Sequence, residues 1–573
     1  VSLTLLDSAG GKAETAGLIE ENAAILDRAG VLVAINTDDG ITESRFLLRT
    51  GAIAVRGGMT EDAAVRALTI NAAKLLHLDD KIGSLEKGKD ADFVVLSGTP
   101  FSTFTQVLQT WIDGKKVFDV SDRRDRAYQT GGFALLDPSR LPEPLAPGTP
   151  PTPVKMPGRG DHPAIQGSPE RFAVFAGRVH PVAGPAIADG VVLVEKGKIV
   201  AVGKRGQVAV PPGTPALTAA VVTPGLIDAH SVVGLAGAFN IPADQDQDEA
   251  TDPNQADLRV LDGFNPAEPL LDFVLHEGVT VVHTVPGRQN VIAGQSGIFR
   301  THATTAEKAT IRFPAGLLVN LGEVPKKTYP GKQPTTRMGT AGLIRTAFTQ
   351  AKNARAKPDT TPKLAALNLA LDKKLPVIFA AHRADDLETA LRLGAEFDLR
   401  VRLDLASEAY LMADRIADAK VPVVLHPPMQ RPSTMETFHS HLGSAGVLSR
   451  AKVPLAIGTG FESYVPKTRV LRREVAVAVA NGLGYDAGLS AITRDAAKLL
   501  AIDDKYGTLE PGKVADLALF DGDPFEQNSH TTYTIVEGRV VWDRAEYLKI
   551  PYARRALPLS GGGGVGCCLG MGW

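Results

Sequence analysis

Three histidines close apolar runs: His230 after LIDA, His382 after PVIFAA and His426 after VPVVL. Imidazole binds zinc-type metals and carries protons near neutral pH. On a strand, residues two apart share a face. A histidine at position 232 would therefore give His230 a partner for a metal ion, but Val232 stands there. His230 is then either a lone ligand or a hydrogen-bonded histidine at a strand end. His382 and His426 read as pocket-lining residues. A strand-terminating role competes for His426, which precedes Pro427-Pro428. His283 reads as mouth-lining or structural. The acidic loop DQDQDEATD (244–252) lacks the glycine and spacing of a calcium loop and reads as a solvated loop.

These histidines belong to a series of strand-like runs: 225–229, 279–285, 296–300, 317–323, 376–382, 399–405, 421–427 and 453–459. Helical patterns separate most of the later ones. Eight apolar strands alternating with helices predict a parallel (β/α)8 barrel over 225–513, whose chemistry sits at the carboxyl ends of its strands. Alternating segments at 171–224 and 514–548 predict a small flanking β-sandwich built from both ends of the unit.

An internal repeat sets the larger organisation. ALTINAAKLLHLDDKIGSLEKGKDADFVVLSGTPF, from position 67, faces AITRDAAKLLAIDDKYGTLEPGKVADLALFDGDPF, from position 491. Positions 491, 507 and 538 face 67, 83 and 114, a constant offset of 424. Upstream, DRAGVLVAINTDDG (27–40) faces SRAKVPLAIGTGFE (449–462) at an offset of 450 − 28 = 422. Residues 1–136 thus read as the C-terminal part of one unit. A Pro-rich linker follows (137–170), then a complete second unit and a Gly-rich tail (549–573). The chain starts at Val1, and the expectation is that part of the first unit is missing.

A net charge of −2 over 573 residues offers no broad basic surface for nucleic acid or anionic membrane. No uninterrupted apolar run reaches the roughly 20 residues of a membrane span. The two cysteines, Cys567 and Cys568, are adjacent in the tail, so a metal site would draw on His, Asp, Glu or Lys. Cysteine usage leaves the compartment open.

Together TPGLIDAH (223–230), GVTVVHTVPG (278–287), NVIAGQSG (290–297), LGEVPKK (321–327), TRMG (336–339) and the closing AAKLL…G.LE.GK.ADL pattern, present twice, resemble the amidohydrolase superfamily. The nearest branch in character is that of imidazolonepropionase and Xaa-Pro dipeptidase-like enzymes. The resemblance implies a barrel with one or two divalent metals, usually zinc. The ligands would be an HxH pair on strand 1, histidines on strands 5 and 6, and an aspartate on strand 8 that takes a proton from the attacking water. A lysine or glutamate on strand 4 would bridge two metals.

In the second unit this pattern is broken. His230 matches the first histidine and Val232 replaces the second. On strand 5 His382 stands at the second position of an HAH-type motif and Ala380 at the first, and either position could be the ligand one. On strand 6 Asp404 is the nearest possible ligand. Gly460 stands at the strand-8 aspartate, with Glu462 two residues on. Glu323 and Lys326 both lie near the strand-4 position. In the first unit Asp38 matches the strand-8 aspartate, and Asp39 beside it reads as a helix cap. His77 lies beyond the barrel strands.

The leading expectation is a metal-dependent hydrolase of a carbon–nitrogen bond: a non-peptide amide, a cyclic amide or an Xaa-Pro-like dipeptide. Asp38 would be catalytic, and the second unit would be a degenerate copy. Two alternatives stand. One is a metal-free scaffold or ligand-binding module. The other is a mononuclear site in the second barrel, using His230, His382 and a carboxylate from Glu323 or Asp404. A small-molecule substrate is expected, with no nucleic acid and no membrane. Self-association or a missing N-terminal part would cover the incomplete first unit.

Overall fold

The computed structural model describes residues 1–6, 18–39, 42–132, 146, 148–238, 241–355, 361–429, 432, 434–460 and 468–555. Glu462, Cys567, Cys568, the tail from 556 and linker positions 137–145 and 147 lie outside them. No helix among the described residues is long and apolar enough to cross a membrane.

Eight strands form one sheet in chain order: β1 Leu226–Ser231, β2 Val279–Thr284, β3 Ile292–Arg300, β4 Thr310–Asn320, β5 Val377–Ala381, β6 Val401–Leu405, β7 Val423–Leu425 and β8 Leu455–Ile457. The sheet curls until β8 returns to β1. A bridge joins Ser231 to Gly460, and Gly460 N donates to His230 O at 2.9 Å. The apolar runs become strands because side chains on both faces are buried. Leu317, Val319, Phe379, Leu403, Val423 and Ile457 pack outward against helices that contribute Phe348, Leu367 and Leu387.

The alternation predicts a wholly parallel barrel, and the structure differs. β3 runs antiparallel to both β2 and β4. Only residues 285–291 separate β2 from β3, and only 301–309 separate β3 from β4. A parallel crossover needs a dozen residues or more, so both links can only reverse the chain.

The flanking domain also differs from the predicted sandwich. Its seven strands hydrogen-bond into one continuous mixed sheet, in the order Arg539–Asp543, Thr531–Val536, Leu517–Phe520, Ala216–Pro224, Arg171–Val179, Ile187–Glu195, Lys198–Lys204. Leu517–Phe520 pairs directly with Ala216–Pro224, which joins the contributions from either side of the barrel.

The N-terminal segment repeats the closing part of this architecture. The parallel pair Ser2–Thr4 and Ala34–Asn36 has Ser2 opposite Ala34, as β7 and β8 have Val423 opposite Leu455. The strands Phe93–Leu96, Val107–Ile112 and Lys115–Asp119 carry the bounds of Leu517–Phe520, Thr531–Val536 and Arg539–Asp543 shifted by the repeat. Their environments differ. Leu517 to Phe520 are fully buried, whereas Phe93, Val94 and Val95 are 36%, 51% and 38% exposed. In the N-terminal segment, no described strand plays the part of Ala216–Pro224, and Phe93–Leu96 is an edge.

Candidate active site

His230 sits near the carboxyl end of β1 with its ring buried. Its Nδ1 lies 2.6 Å from Asp404 Oδ2. Asp404 has no exposure and stands on β6, two residues after Arg402. The two-residue spacing puts both on one face. Arg402 donates to both carboxylate oxygens, Nε to Oδ1 and Nη2 to Oδ2, each at 2.7 Å. Burial pushes the Asp404 carboxyl up, but Arg402 and His230 outweigh it and hold the group below its ordinary value. Such bidentate, charge-assisted pairs are the strong ones.

Arg402 Nη2 also lies 3.2 Å from His283 Nδ1 on β2. The other His283 nitrogen is 2.8 Å from Ser296 Oγ on β3. Burial, then the Arg402 charge, pushes His283 down to about 3, so it is neutral near pH 7.

His382 and His426 meet across the mouth, with ring centroids 5.2 Å apart. His382 Nδ1 is 2.8 Å from Ser407 Oγ. Burial takes both rings well below the usual histidine value, helped by Arg288 and His230. Asp228, buried under His230, ties β1 to the end of β8. It accepts from Thr459 Oγ1 at 2.5 Å and Thr459 N at 3.0 Å. Burial pushes it up to about 6. Directly after Asp404, Leu405 has φ 71° and Ala406 φ 48°, and Ala406 N donates to Asp404 O at 3.0 Å. This γ-turn with positive φ at Leu405 is strained for a non-glycine residue.

The structure therefore gathers His230, His382, His426 and Asp404. It does not gather the rest of the expected set. Glu323 and Lys326 lie on the short helix Glu323–Thr328 after β4; Glu323 pairs with Lys327, and its amide donates to Glu436. Val232 and Ala380 are part of a single apolar cluster with Leu318 and Ile378. Gly460 has φ 65°, and a Cβ there would meet His426 Nε2 at 3.1 Å. Asp38 lies in the N-terminal segment, exposed, with φ 46° after the strand Ala34–Asn36. It thus takes the left-handed backbone of Gly460 at the matching strand end. Asp39 Oδ1 accepts from Ser44 N at 2.9 Å and Ser44 Oγ at 2.7 Å.

The donor set in the barrel does not fit the expected metal. Both Asp404 oxygens are held by Arg402, His230 Nδ1 is taken by Asp404, and Val232 and Gly460 stand where the second strand-1 histidine and the strand-8 aspartate would. Among the described residues, no group of three or more His, Cys, Asp or Glu side chains converges to hold an ion. Gly460→Asp is accordingly expected to add no bound zinc by elemental mass spectrometry. It is expected to cost about 1–3 kcal/mol in thermal denaturation, from the left-handed backbone and the crowding of His426.

Sequence reasoning missed Arg402, Asp228 and Thr459. The signal for Arg402 was in VRLDL: two opposite charges two residues apart within an apolar strand.

Amidohydrolase family models match residues 19–117 and 324–542. A solved amidohydrolase from Thermotoga maritima MSB8 is 32% identical; the match covers 65% of this chain and 100% of that one, with a TM-score of 0.62. The chain belongs to the amidohydrolase family. Among curated relatives, amidohydrolase tasK of Hapsidospora irregularis is 24% identical over 413 residues, 64% of this chain and 41% of that protein. An imidazolonepropionase of Rhizorhabdus wittichii is 25% identical over 372 residues, 58% of this chain and 88% of that protein. The chain thus spans less than half the length of tasK. Within the amidohydrolase frame, the barrel keeps the strand-end histidines but holds a guanidinium–carboxylate pair among them.

Proposed function

We propose that the protein hydrolyses a carbon–nitrogen bond of the non-peptide amide, cyclic amide or Xaa-Pro class. In this reading the catalytic centre belongs to the unit that contains Asp38, and the C-terminal barrel is its metal-free copy. The observation that carries it is the pairing of positions 38 and 460. Both stand in left-handed backbone after matching strands, and only position 38 offers a carboxylate. A divalent metal, zinc by the family resemblance, would supply an acidified water when bound. Asp38 would accept a proton from the attacking water and return it to the leaving nitrogen.

The bare apolar edge Phe93–Leu96 supports a further part of this reading. In this reading a second copy of the chain or a further N-terminal part covers that edge, as Ala216–Pro224 covers Leu517–Phe520.

A regulatory role for the second barrel is favoured by one set of contacts. Gly132 N donates to Ser440 O at 3.0 Å, and Leu442 N donates to Thr130 O at 2.8 Å. The adjoining His439 is 2.7 Å from Glu408, whose other oxygen accepts from Ala384 N at 2.8 Å, two residues past His382. The N-terminal segment thus rests on the loop that borders the histidines.

Metal content tests the assignment. After dialysis against zinc-free buffer, the C-terminal barrel is expected to retain under about a tenth of an equivalent of zinc, unchanged by His230→Ala. One equivalent of zinc that disappears in His230→Ala would move the catalytic centre into the C-terminal barrel.

A further inference from the structure

The two halves of the repeat touch each other, and the touching residues obey a symmetry. Ser102 Oγ donates to Glu526 Oε1 at 2.8 Å, and these positions are 424 residues apart. That spacing is the repeat offset, so this position meets its own counterpart. Gln106 Nε2 donates to Ala480 O at 3.5 Å. His530 Nε2 lies 3.0 Å from Arg56 O. By the same offset, 530 is the counterpart of 106 and 480 the counterpart of 56. The two contacts are therefore one contact made in both directions, by a side-chain nitrogen at the equivalent position to the equivalent backbone oxygen. The anchoring behind them repeats as well. Gln106 N donates to Ser97 Oγ at 2.9 Å, and His530 N donates to Asp521 Oδ1 at 2.7 Å.

In a two-fold interface, residue i meets j while j meets i, and a residue on the axis meets itself. We infer that the face between the two segments is a pseudo-two-fold interface, the fused form of a dimer of amidohydrolase units, and that Ser102 and Glu526 on its axis select unlike units. The partner this face fits is a second copy of the same kind of unit, here supplied in cis.

The axis pair explains the selectivity. The Glu526 carboxylate accepts from Ser102 Oγ and from Thr103 N at 2.9 Å. Two copies of the C-terminal unit joined by this face would set Glu526 against Glu526, with a second carboxylate in place of the Ser102 hydroxyl donor. Unlike pairing satisfies the carboxylate; like pairing of C-terminal units is penalised by repulsion.

The inference rests on the two-unit reading of the chain and not on where catalysis occurs, and its test reads no activity. In hydrogen exchange on the intact protein, Gln106→Ala and His530→Ala are each expected to speed exchange at least threefold in both Phe101–Gln106 and Phe525–His530. Faster exchange confined to the segment that carries the substitution would overturn the symmetry.

A second measurement uses a protease site placed between residues 132 and 148. The barrel and sheet cores lie in the C-terminal piece, with Phe104 alone contributed by the N-terminal segment. The freed C-terminal piece is expected to sediment as a monomer, and its Glu526→Ser form is expected to dimerise at least tenfold more tightly. A Glu526→Ser piece that associates no better than the parent would overturn the selective role of the axis pair. Loss of activity with both of these results intact would count against the proposed function alone.

Discussion

Arg402→Met is expected to lower folding stability by about 3–5 kcal/mol. Asp404 is fully buried, Arg402 reaches both its oxygens, and the remaining partner is the His230 ring. Methionine fills much of the volume but leaves a buried carboxylate without its countercharge. The Arg402→Met/Asp404→Leu double variant removes the charge together with its partner. It is expected to regain most of the loss, because a buried ion pair and a well-packed apolar pair are often close in energy. Thermal denaturation of the three proteins checks this. A single-variant loss below about 1 kcal/mol, or a double variant no better than the single, would remove the pair from its structural role.

The pH dependence of that loss has a definite sign. In the parent, the Asp404 carboxyl lies below its unfolded value. Its contribution is present above the unfolded value, near 3.9, and fades as pH falls through the folded value. Without Arg402, burial pushes the carboxyl up, so the variant loses stability as pH rises through the raised value. The gap between the two proteins should therefore narrow on acidification from pH 7 towards pH 4.

The same pair marks where sequence reading stopped. The eight barrel strands were legible because most are short apolar runs bounded by turn signals, and that length favours a strand over a helix. The reversal of β3 was not legible from apolar content, since a reversed strand buries the same side chains. It lay in the shortness of 285–291 and 301–309. The single seven-stranded sheet depends on Leu517–Phe520 finding Ala216–Pro224 across the whole barrel, a pairing that no local pattern encodes. In the site, strand-end positions brought His230, His382 and His426 to one mouth. Asp404 could be read as a free ligand only while Arg402 went unnoticed, because the commitment of a carboxylate is a property of its neighbour.

Asp38→Asn is expected to reduce kcat by about 10²–10⁴-fold in any preparation of this protein that turns over an amide or Xaa-Pro substrate. Asparagine keeps the size of the side chain and tolerates the left-handed backbone that Asp38 adopts at φ 46°. Since the residue is exposed, the melting temperature should stay within about 1 °C. A loss of kcat without a loss of fold then reports the missing proton acceptor. His230→Ala provides the counterpart: with the catalytic centre in the Asp38 unit, kcat should change less than about threefold, even though the barrel loses the Asp404 contact and some stability. Steady-state kinetics on both variants separates the two barrels. Full activity in Asp38→Asn together with loss in His230→Ala would place the proton transfer at the Asp404–His230 pair instead, in a barrel whose resident cation is a guanidinium.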